Sequence, residues 1–120
     1  MEQELREQHS MIASDRVEGT AVYSRTGERL GHIERFMVDK LSGQTQYAVL
    51  GFGGLFGLAN RHCPLPWQAL TYDTDKGGYV VNLTREDLEK APSYDEEGGE
   101  PEYDRDYNVR VYDYYGLTYL

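Results

Sequence analysis

A chain of 120 residues is long enough for one hydrophobic core and too short for two, so a single domain is expected. Its lone cysteine excludes an intrachain disulfide, and no run of about 18 apolar residues exists to span a membrane as a helix. The net charge of −9, with no basic stripe, argues against direct contact with nucleic acid, which depends on neutralising phosphates.

Residues 1–14 read as a polar N-terminal arm, acidic where a secretory leader would be basic, so a cytoplasmic protein is expected. The acidity belongs to the two ends. Residues 15–86 carry eight acidic and eight basic side chains, whereas residues 87–120 carry ten against three, a balance of −7; the arm supplies the other −2.

A first strand is expected over residues 17–23 and a second over 30–39. In the second, the apolar positions change phase between Ile33 and Phe36, as a bulge makes them do. The third strand is the element around which the fold is organised. Tyr47, Ala48, Val49 and Leu50 are apolar without a break, so both faces should be covered. Gly51, Gly53 and Gly54 then mark a sharp bend of the kind that a curved or closed sheet needs.

A short fourth strand over 61–65 contains Pro64 and runs on into Pro66. Both prolines lack a ladder donor and belong on an edge or at a corner. Trp67, the only tryptophan, should cap the core beside Leu50, Leu70 and Val81. A hairpin over 70–83 turns through residues 73–78 and supplies strands five and six. Thr84 begins a short helix, with Asp87 placed for a capping box, Leu83 and Leu88 for a hydrophobic staple, and Pro92 as a stop. The domain thus reads as all-β over residues 15–94, a six-stranded barrel or half-open barrel plugged by one short helix.

Residues 95–102 form an acidic linker, and residues 103–120 a tyrosine-rich tail. Tyr103, Tyr107, Val111, Tyr114 and Tyr115 recur at helical spacing and Gly116 is a stop, so a helix is expected there. Such a stripe must be covered. A second copy of the chain is the favoured cover over the chain's own barrel, making Tyr107, Val111, Tyr112, Tyr114 and Tyr115 the candidate interface of a homodimer.

Six segments, VEGTAVY (17–23), GERLG (27–31), DKLSG (39–43), YAVLGFGG (47–54), PLPW (64–67) and GGYVV (77–81), together resemble the PRC-barrel family. The resemblance implies a six-stranded barrel that serves as an adaptor or scaffold, without catalysis or a cofactor, with Tyr47, Gly53, Gly54, Pro64, Pro66 and Trp67 as core and corner residues. Its fold is shared with the cytoplasmic part of the photosynthetic reaction centre's H subunit and with the C-terminal domain of a ribosome maturation factor. Two alternative roles follow by analogy, as accessory to ribosome assembly or RNA processing and as accessory to an electron-transfer complex.

Three motifs invite chemistry and are better read as structure. Residues 51–57 offer glycines for a phosphate cradle, but Phe56 stands where the third glycine is needed. Asp73, Asp75 and Gly78 fit part of a calcium loop, but position 12 is Thr84 rather than glutamate. His62 and Cys63 are strand neighbours whose side chains diverge, and with only His9 and His32 besides they build neither a zinc site nor a Cys–His nucleophile.

Overall fold

The structure, a computed structural model, describes residues 11–54, 60–95 and 97–120. Its elements in chain order are α1 (Ser14–Val17), β1 (Ala21–Ser24), β2 (Arg29–Val38), β3 (Thr45–Phe52), β4 (Arg61–Pro66), a 3₁₀ turn (Trp67–Ala69), β5 (Thr71–Asp73), β6 (Gly78–Val81), α2 (Arg85–Lys90) and α3 (Arg105–Tyr114). The first strand starts later than the sequence suggests. Ser14–Val17 is instead one helical turn that drops Val17 into the core, and Gly19, at φ 82°, reverses the chain into β1.

One six-stranded sheet runs in the order β4-β3-β2-β1-β6-β5. All pairs are antiparallel except β1–β6, which is parallel. The β2–β3 register slips between Ile33 and Arg35, so the expected phase change in β2 is a real bulge. Its inner face packs Val22, Leu30, Ile33, Ala48, Leu50, Phe52, Cys63, Leu65 and Val81 into the main core.

The sheet is not closed by hydrogen bonds, so of the two forms expected, closed or half-open, it is the half-open one that is found. The prolines explain why. In β4 the N–H of His62 points away from β3 and donates to Tyr94 O at 2.8 Å, so the N–H groups of 64 and 66 would point the same way. Both are proline. The outer edge of β4 therefore has one donor, already taken, and nothing to offer β5. The two ends of the sheet are joined covalently instead, through the 3₁₀ turn at Trp67.

Trp67 itself is half-buried rather than enclosed. It lies edge-on to Phe36, with ring centroids 5.4 Å apart, and to Tyr79 at 5.7 Å. The short helix follows its sequence pattern closely. The Thr84 hydroxyl accepts from Asp87 N–H and the Asp87 carboxylate accepts from Thr84 N–H, both at 3.0 Å. Leu88 is buried in the core, with Leu83 packed against it.

Candidate functional site

The unbroken apolar run of β3 finds its second cover in the tail. Ala48, Leu50 and Phe52 face the main core, whereas Tyr47 belongs to a second cluster with Val111 and Tyr112. Helix α3 has Asp104 as its N-cap, accepting from Tyr107 N–H at 2.9 Å. It stops at Gly116, φ 70°, where the Leu117 N–H reaches back to Tyr112 O and the Gly116 N–H to Asp113 O, a Schellman arrangement.

Two polar contacts fix the helix on the sheet, and a third ties it to the segment before it. Tyr47 donates its phenol to Asn108 Oδ1 at 2.7 Å, Asn108 Nδ2 donates to Tyr103 O, and Tyr112 donates to Gln46 O at 2.9 Å. Val111 is fully buried and Tyr112 is 3 % exposed. The expected interface residues are therefore covered by the chain's own sheet. Tyr107 and Tyr115 are half-buried in the same cluster, and only Tyr114, at 43 % exposure, faces outward. The stripe is short, and β3 with the proline-capped β4 offers enough flat apolar surface to receive it. Burial keeps these phenols protonated: that of Tyr107 is pushed up to about 12, and those of Tyr47, Tyr103 and Tyr115 higher.

The linker is pinned at its start. Tyr94 exchanges both backbone hydrogen bonds with His62 and stacks on its ring, while the His62 imidazole pairs with the Glu34 carboxylate. Glu34 and Tyr94 are partners that no local pattern announces. Cys63 diverges from His62, as strand geometry requires, and lies beside Pro92 O and the Tyr115 hydroxyl at 3.5 Å each. Burial raises its thiol to about 11, which favours the protonated form at neutral pH.

The Asp73 carboxylate is used within the β5–β6 turn, accepting from Asp75 N–H at 2.9 Å and Lys76 N–H at 3.1 Å. That is the hairpin reading of the calcium-like motif. Gly53 and Gly54 both take positive φ, 71° and 79°, and turn the chain out of β3. Residues 55–57, the rest of the glycine-rich stretch, lie outside the described residues.

One open cleft, of about 610 Å³, lies where three elements converge. The β2–β3 turn supplies Asp39, Leu41 and Gln44, the 3₁₀ turn supplies Trp67 and Gln68, and the tail supplies Tyr112 and Tyr119. Its rim carries Leu41 and Leu120, each 99 % exposed. Asp39 Oδ1 accepts from the Ser42 and Leu41 N–H groups, which hold its carboxyl below the usual range and therefore ionised. None of the lining residues is Lys, Arg or His. The sequence named Trp67 and Tyr112 as structural and interface residues. That the two border one cleft depends on the tail's docking, which no spacing encodes.

No curated protein matches the chain. The family model of the PRC-barrel domain matches residues 9–88, which takes in every strand and the start of α2 but stops short of the linker and tail. The chain belongs to the PRC-barrel family.

Proposed function

We propose that this protein is a non-catalytic adaptor, which binds another protein through the cleft that its tail completes. The observation that carries this reading is the rim: two fully exposed leucines beside a half-buried tryptophan, on a surface that has apolar area to cover and no charge cluster to do chemistry. The absence of cationic side chains from the lining weighs against RNA as the direct ligand, and hence against a role in ribosome assembly that rests on RNA contact. Cytoplasmic residence belongs to the same reading.

Self-association is part of this proposal in a changed form. The aromatic stripe is already covered, so a dimer forms by exchange: the helix of one copy docks on the sheet of another, with the exposed residues 97–100 as hinge. Gly98 and Gly99 supply the freedom for that reversal.

A photo-reactive benzophenone side chain at Leu41, compared with one at Asp75 outside the cleft, tests the adaptor role in living cells. The expected result is one discrete protein adduct at Leu41 and none at Asp75. No adduct at either position overturns the adaptor reading. Light scattering tests exchange: a shortened linker, which prevents the tail from folding back, yields a stable dimer, and a monomer at high micromolar concentration overturns it.

A further inference from the structure

The cleft carries information about what fills it. Its one charged lining side chain is a carboxylate, and the whole chain is acidic, with a net charge of −9. Gln44 and Gln68 are exposed along it, and their side-chain amides have no hydrogen-bond partner among the described residues. A primary amide is both donor and acceptor, as is a peptide main chain. Leu41, Leu120 and Trp67 add apolar surface a few residues wide.

We infer that the cleft binds an extended peptide segment of a partner protein, one that alternates apolar side chains with lysine or arginine. Its main chain pairs with Gln44 and Gln68, an apolar side chain packs between Leu41 and Trp67, and a cation meets Asp39. The same charge argument disfavours a second copy of this chain as the occupant, because two acidic molecules repel at this face. Lys40 stands between Asp39 and Leu41 in sequence but is not among the lining residues. Because Tyr112, Thr118 and Tyr119 form one wall, the occupant also grips the tail, so peptide binding and tail docking are linked. This inference rests on the adaptor reading and narrows it.

Two short synthetic peptides separate the possibilities, one alternating lysine with leucine and the other glutamate with leucine. A lysine–serine peptide controls for charge alone. Trp67 is the only tryptophan and borders the cleft, so its emission reads binding directly, and amide chemical shifts give the location. The lysine–leucine peptide is expected to bind about tenfold tighter than either of the others, with shifts confined to residues 39–46, 67–68 and 112–120. Asp39→Asn keeps an oxygen acceptor for the turn and removes only the charge. It should weaken the lysine–leucine peptide about two- to fivefold and leave the glutamate–leucine peptide unchanged or tighter. Leu41→Ser should abolish the preference for leucine over serine.

Equal affinity for the three peptides, shifts confined to the acidic linker at 95–102, or no binding at all overturns the inference. An adduct that forms in cells at Asp75 but not at Leu41 overturns both the inference and binding through the cleft, and leaves of the adaptor reading only that a protein is bound elsewhere.

Discussion

Two tyrosines in the tail–sheet contact make opposite predictions. The Tyr47 phenol is the donor to Asn108 Oδ1, and both residues are buried. Tyr47→Phe leaves that oxygen without a partner and should cost about 1–3 kcal/mol, read from urea melts. The Tyr103 hydroxyl is buried with no hydrogen-bond partner among the described residues. Tyr103→Phe removes an unsatisfied polar atom and should leave stability unchanged or slightly raised. Equal losses for the two substitutions would count against the hydrogen bond to Asn108 as a fixing point. Neither role was legible in the sequence, where both residues read simply as aromatic members of a strand and a stripe. A hydrogen bond between residues 61 positions apart depends on how the tail lies on the sheet, and that is settled by tertiary packing.

Elements with a local signature were legible, and those set by partners were not. The capping box at Thr84 and the stop at Gly116 appear at the residues expected, because each satisfies its own helix end through near neighbours. Thr84→Ala should accordingly lower stability by about 1 kcal/mol. The bulge in β2 was legible for the same reason, since it shifts the phase of the apolar residues. What covers the outer face of β3 was not legible. The sequence shows that a cover is needed, and both available covers have the same chemistry. Alkaline titration tests the one found. The phenols of Tyr47, Tyr103, Tyr107 and Tyr115 are raised in the folded state, so it holds their protons more tightly than the unfolded chain does. Their contribution is complete below about pH 10 and is lost as pH climbs toward the folded values. Tyrosinate absorbance should therefore rise later and more steeply in water than in denaturant, and the melting temperature should fall above about pH 10. Superimposable titration curves in the two solvents would contradict the burial of the stripe.

At the scale of the whole molecule, barrel and tail form two layers that share β3. Deleting residues 103–120 uncovers Tyr47 and its cluster and takes Tyr115 off the main core, but every buried member of that core lies within residues 17–91 and is kept. The truncated protein should fold, melt several degrees lower and be monomeric, because the helix exchanged in the proposed dimer is gone, as calorimetry and light scattering will report. A truncated form that does not fold would make the tail part of the core. The parallel β1–β6 pair has a consequence for how quickly this structure assembles. The β2–β3–β4 meander joins near neighbours in sequence and closes small loops, whereas Val22 meets Tyr79 only after every intervening strand has been made. Loop-closure entropy is largest for that step, so the meander is expected to nucleate folding and the β1–β6 junction to form late. Conservative truncations should then slow refolding at Ile33 and Leu50, while at Val81 they should mainly speed unfolding. On a ribosome the meander has emerged well before β6 can reach it, and the nascent chain must wait with the main core open on the side that β6 will close.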